Sequence, residues 1–227
     1  MKLTSTQIEA NFQNIKGLID LYISEPRKSK LLDFYNEYED RLIMMPASHK
    51  IAYHSCFPGG YIDHTLRVIN AAVELDKVWT KFGVVKNYTF EELIFSALNH
   101  DLGKMGTKDE EFYLINPSEW HRTNKGEMYE CNNKISYMSV PDRSLFLLTQ
   151  HGISYSENEM LAIKLHDGLY DDANHSYLKS YLPETKPRTA LVYVIHQADV
   201  LATRVEFEMQ WFPKFYPQPK LEKIDAR

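Results

Sequence analysis

Three stretches of this chain begin and end alike, and that shared punctuation limits its fold more than any other feature. "TFEELIFSALNHDLG" (89–103), "SVPDRSLFLLTQHG" (139–152) and "SENEMLAIKLHDG" (156–168) each open on a Ser or Thr and close on a histidine shortly before a glycine. Thr89 with Glu92, and Ser156 with Glu159, have the spacing of capping boxes, in which two side chains satisfy N–H groups left over by the first helical turn. Ser139 precedes Pro141, which suits a first helical position because its missing N–H is not needed there. Between start and stop, apolar residues recur every three or four positions. Helices this short are marginal alone and must bury their stripes against one another.

The rest of the chain reads similarly. Ile8, Phe12, Ile15 and Leu18, then Leu31, Leu32, Tyr35, Tyr38 and Leu42, predict helices within residues 5–45, broken by "SEPRKSK". After a turn at Pro58-Gly59-Gly60 comes "YIDHTLRVINAAVELDKVW", and "KPRTALVYVIHQADVLATRVEFEMQWF" predicts a long helix closed by Pro213. Residues 111–137 lack helical period and predict a β-hairpin or ordered loop turning near Asn124-Lys125-Gly126. The expectation is an all-α bundle with one small hairpin insertion. Residues 1–45 would form a helical arm packed on a domain of residues 46–212, and 213–227 a tail, with Trp211, Phe212, Phe215 and Tyr216 packing back on the domain.

Composition excludes some classes. With 227 residues, 44% of them hydrophobic, there is enough material for a sizeable core. A net charge of −5 offers no broad basic field for long nucleic acid or an anionic membrane. No apolar run reaches the roughly 18–20 residues of a membrane span, and the N-terminus lacks the apolar core of a signal peptide. Cys56 and Cys131 match no zinc-ribbon spacing and suggest no disulfide framework, so a cytoplasmic setting is expected.

Placed on these elements, the histidines acquire meaning. His64 lies early in one helix, His100-Asp101 ends the next, His151 and His166 end the following two, and Asp199 lies on an inward face of the last. A bundle that converges them offers imidazole and carboxylate donors suited to divalent transition metals. Six such ligands suffice for two ions with one bridging carboxylate.

The order His64…His100-Asp101…Asp199 resembles the H…HD…D motif of the HD superfamily of metal-dependent phosphohydrolases. "MPASHKIAYHSCFPGGYIDHTLRVINAA" is similar to the segment ahead of the first ligand in HD proteins related to 3′–5′ exoribonucleases and relaxase-associated domains. "HDLGK" is a common form of the central pair, "LLTQHGISYSENEMLAIKLHDG" resembles the part of bimetallic members with two further histidines, and "IHQADVLATR" resembles the closing helix. The likeness spans roughly residues 45–210. It implies an HD helical bundle with one ion on His64, His100, Asp101 and Asp199, and a second on bridging Asp101 with His151 and His166. The rival pair, His166-Asp167, would contribute only its histidine, with Asp167 a helix-end neighbour.

The resemblance further implies hydrolysis of a nucleotide or short oligonucleotide phosphoester by a metal-activated water, with Asp101 and Lys104 catalytic. Lys104, Arg67 and His54 would contact substrate, Arg204 more weakly. Manganese, iron, cobalt, nickel and zinc all fit such a donor set, and no organic cofactor is implied. Alternatives are a di-iron oxygenase of the same superfamily acting on a small alcohol or phosphonate, and a non-catalytic nucleotide-binding module. His196 would support a ligand or pack in the core, whereas His49, His121 and His175 are expected to be exposed. Phe112, Tyr113, Trp120 and Tyr129 would close a small apolar cluster under the hairpin, with stacking on a nucleobase as the other use of such rings. The N-terminal helices and aromatic tail offer a homodimer contact.

Overall fold

The computed structural model of the protein describes residues 3–215. Its described residues form a helical bundle with one small hairpin. Helices α1 (Ser5–Tyr22), α2 (Arg27–Glu37) and α3 (Glu39–Met44) lead into α4 (Gly60–Lys81) and α5 (Phe90–Asn99). After the hairpin come α6 (Val140–Gln150), α7 (Glu157–Lys164), a short α8 (His175–Leu178) and α9 (Leu191–Phe215). No helix among the described residues is long and apolar enough to cross a membrane.

The predicted caps are present. Thr89 Oγ1 accepts from the Glu92 N–H at 3.1 Å while the Glu92 carboxylate accepts from the Thr89 N–H at 2.7 Å. Ser156 and Glu159 repeat the exchange at 3.2 and 2.7 Å, and Ser139 caps α6 through the Asp142 N–H. Gly103 has a second role besides ending its segment. A Cβ there would lie 2.1 Å from the Val140 carbonyl, so only glycine lets the start of α6 press against the turn after α5.

α4 packs along α9, and α5 and α7 close the bundle beside them. Phe12, Ile15, Leu31 and Tyr35 from the N-terminal helices share one buried cluster with Tyr61, Phe95, Leu98 and Ile195. Arg27, at the start of α2, fastens the N-terminal helices to this core. Its guanidinium pairs with Glu91, reaches both oxygens of fully buried Glu159 at 2.7 and 2.8 Å, and lies 4.2 Å from the Phe95 ring centre.

The hairpin pairs β1 (Tyr113–Ile115) with β2 (Tyr129–Cys131), placing Tyr113 opposite Cys131 and Ile115 opposite Tyr129. The chain turns near Asn124-Lys125-Gly126 as expected, with Gly126 at φ +65°, but the connection is long: residues 116–128 intervene and include a π-helical turn at His121–Lys125. The hairpin also docks on the segment before α4, through Ile51 N–H to the Gly126 carbonyl at 2.8 Å and Tyr129 N–H to the His49 carbonyl at 3.1 Å. Trp120 is exposed rather than tucked beneath the hairpin. α9 runs past Pro213 to Phe215, a small shift within the usual softness of helix ends. The predicted packing of Phe212, Phe215 and Tyr216, like residues 216–227 of the tail, lies outside what is described.

Two outcomes follow from these contacts. Arg27→Met leaves the Glu159 carboxylate buried without its cation and should lower stability by about 3–5 kcal/mol in denaturant melts. Glu92 is partly buried, which raises its pKa, but bonds from Ser156, Thr89 and Asn158 overcome this and hold it below the ordinary carboxylate range. A depressed carboxylate stabilises above its unfolded pKa, and that contribution fades as pH falls through the folded value. Glu92→Gln should therefore cost about 1 kcal/mol at pH 7 and little once Glu92 is protonated, as acid-dependent melts will show.

Candidate metal centre

The ends of α5 and α7 and the inner faces of α4 and α9 bring five donor side chains to one place. His64 lies in the second turn of α4, His100 caps α5, and Asp101 follows it into a 3-10 turn spanning Leu102–Met105. His166 stands two residues beyond the last residue of α7, and Asp199 lies on α9. His64, His100 and Asp199 offer donor atoms within 4.8 Å of one another, and so do His100, Asp101 and His166. Asp101 joins the two groups. Its Oδ2 is 3.7 Å from His64 Nε2 and 3.5 Å from His100 Nε2, and its Oδ1 is 3.6 Å from His166 Nε2.

Each imidazole is held from behind. His100 Nδ1 donates to the Ala97 carbonyl and His166 Nδ1 to the Ile163 carbonyl, both at 2.8 Å. Carbonyl oxygens only accept, so these bonds fix the proton on Nδ1 and turn Nε2 toward the centre. His64 Nδ1 lies 3.1 Å from Glu206 Oε1, and Glu206 is itself held by the Ser55 hydroxyl at 2.7 Å. The Nε2 atoms of His54, His64 and His100 are buried and make no hydrogen bond; the Asp199 oxygen 3.1 Å from His64 Nε2 lies off the bonding direction. Each such orphan costs roughly 1–3 kcal/mol, and a cation bound between His64 and His100, or between His54 and His64, would satisfy two of them at once.

Electrostatics couple the groups. Burial opposes the charge on His64, but Asp199 and Glu206 overcome it and raise its pKa to about 10. His166 rises to about 9 in the same way, against burial, through Asp167 and Asp101. Burial and the cationic neighbours His64 and Lys104 press His54 down to about 3. Burial would raise the pKa of Asp101, yet Lys104 and His100 hold it well below the carboxylate range. A divalent cation bound among these groups would compete with the protons that the carboxylates favour on His64 and His166 and release them.

Lys104 Nζ is 2.5 Å from Asp101 Oδ2 and lines a cavity of about 600 Å³ together with His166 and Asp199. Arg204 also lines it. Arg67 does not: its Nε is 2.9 Å from Asp63, on the same helix. His196 binds the His166 carbonyl through Nδ1 at 2.7 Å, and Gly168, at φ +58°, makes room for that ring, since a Cβ there would sit 2.2 Å from it.

Several placements differ from the sequence reading. His151 does not join the centre; its ring packs 4.8 Å from Phe34 and 5.6 Å from Tyr38. Ser144, whose hydroxyl bonds the His100 carbonyl, marks where α6 meets the centre, and the seven residues from there carry His151 about 10 Å along the helix. Asp167 is more than a helix-end neighbour, for its carboxylate groups with His166 and Asp199 where the chain turns at Gly168. His54 lines the cavity, as a substrate contact would, and also comes within donor distance of His64 and Asp101. His49, His121 and His175 are half-buried, and His49 lines the cavity. Glu206 was not legible as a partner of His64, although its place two helical turns after Asp199 puts both on one face of α9.

No family model, curated protein or solved structure matches the chain.

Metal-depleted protein should take up manganese or zinc, gain thermal stability and release protons on binding, as calorimetry in buffers of differing ionisation enthalpy will show. Asp101→Ala should abolish uptake. His151→Phe should leave uptake intact, because that ring only packs between aromatic neighbours.

Proposed function

We propose that the protein is an HD-type metal-dependent phosphohydrolase acting on a small phosphorylated substrate, a nucleotide being the expected class. One observation carries the reading: His64, the adjacent pair His100-Asp101, and Asp199, which follow the HD order along the chain, meet at one place, where His64 and His100 lie near both carboxylates and Lys104 binds Asp101 at a cavity wall. His64, His100, Asp101, His166 and Asp199 would hold one or two divalent ions, with His54 and Asp167 in reach. Bound there, such an ion supplies Lewis acidity and lowers the pKa of a coordinated water toward neutrality.

The chain's own residues do the rest. The carbonyl and carboxylate partners behind His100, His166 and His64 keep the rings from turning as charge shifts at the centre. The carboxylates of buried Asp101 and half-buried Asp199 would offset the ion's charge. Lys104 places an ammonium where phosphoryl oxygens gain charge and requires no rearrangement to do so. Burial would lower the Lys104 pKa, but Asp101 outweighs it and keeps the side chain protonated. No covalent nucleophile is required.

A screen of nucleotides with manganese, iron, cobalt and magnesium tests this reading. Phosphoester hydrolysis should proceed at equal rates with and without oxygen, and Lys104→Gln should retain metal while lowering kcat by roughly 100-fold. Turnover that requires oxygen would assign the centre to oxidation instead.

A further inference from the structure

The cavity beside the donor cluster has an unusual rim. His49 and Tyr53 come from the segment before α4, Tyr113 from β1, Tyr170 from the turn after Asp167, and Phe207 from α9. Four separate segments thus supply five rings to one cavity. A structural cluster would bury such rings against one another. Here Tyr53 is 51% exposed and Tyr170 86% exposed, although both line the cavity. The His49 and Tyr53 rings meet edge to face at 5.1 Å, and His49 is 6.3 Å from Tyr113. Edge contact leaves ring faces free for a third ring.

The rim is also held in position. Backbone bonds from the hairpin to His49 and Ile51 fix the segment carrying His49 and Tyr53, and Ser48 holds the His54 carbonyl at 2.5 Å. Tyr53 directly precedes His54, whose ring centre is 4.6 Å from that of His64. The aromatic rim therefore begins one residue from the donor cluster, and a single small molecule can touch both. Arg204 and Lys104 are the cationic side chains of the lining.

We infer that this aromatic collar is the nucleobase subsite, so that the substrate is a nucleotide with its phosphate toward Lys104 and its base among Tyr53, Tyr170 and Phe207. The inference rests on the phosphohydrolase reading for the phosphate end and on the collar alone for the base. Stacking on aromatic side chains is tolerant of base identity, because every base has a π face. Selectivity should therefore favour nucleotides over sugar phosphates more strongly than it separates one base from another. A cavity of about 600 Å³ fits a ligand of nucleotide size.

The test compares the four nucleoside 5′-monophosphates with ribose 5-phosphate, which carries the same phosphate and sugar without a ring system to stack. Tyr53→Ala and Tyr170→Ala alter exposed side chains and should fold normally, as circular dichroism will check. Each should lower the preference for nucleotide over ribose 5-phosphate, measured as a ratio of kcat/KM, by on the order of tenfold, and Tyr53→Phe should restore it. Equal losses on both substrates, or an unchanged ratio, would overturn the subsite. Calorimetric binding of adenosine 5′-monophosphate to the manganese-loaded protein separates the two readings. Binding that weakens in Tyr53→Ala, in a protein that hydrolyses no phosphoester, supports the collar and removes the hydrolase. Hydrolysis of ribose 5-phosphate as efficient as that of the nucleotides removes the collar and supports the hydrolase.

Discussion

Asp101 is a carboxylate 4% exposed to solvent, and much of the structure serves to keep it charged there. An isolated buried carboxylate would protonate or cost several kcal/mol. Lys104, one turn along the chain, binds one oxygen, while His64 and His100 approach that oxygen and His166 the other. The same contacts that stabilise the charge assemble a set of metal donors. Removing any one of the three histidines would therefore disturb the charge balance and the donor set together.

The surrounding helices are arranged to meet that demand. α5 ends where its histidine can bond its own last carbonyls, and α7 ends the same way, so two of the rings are fixed by helix termini rather than by other side chains. His64 is instead fixed by α9, through Glu206, which the Ser55 hydroxyl anchors in turn. α9 thus supplies a donor at Asp199, a support at Glu206, a strut at His196 and a cavity wall at Arg204 and Phe207. The hairpin acts from the other side, holding the His49–Ile51 segment and carrying Tyr113 into the cavity.

What the sequence made legible was local. The capping pairs at Thr89 and Ser156, the proline start of α6 and the apolar periods set the helices correctly because those signals act within a turn or two. His64, His100, Asp101, His166 and Asp199 were readable because each falls at a helix end or on an inward face. His151 met the same local criterion yet packs against Phe34 and Tyr38, since the direction of α6 is set by its contact at Gly103 and Ser144, which no local pattern reveals. Glu206 looks like any glutamate in "TRVEFEMQ" until α4 is laid beside α9. The wide connection of the hairpin was hidden for a similar reason: its docking on residues 49–51 is a long-range contact, whereas Asn124-Lys125-Gly126 is a short-range turn signal.

The central claim is that these donors form one metal centre around Asp101. Anomalous diffraction from crystals grown with manganese or zinc locates the ion directly. The account predicts a peak at coordination distance, about 2.0–2.2 Å, from Nε2 of His64 or His100 and from an oxygen of Asp101 or Asp199. A fully loaded crystal with its strongest peak on other residues, or with no peak among these side chains, would contradict it.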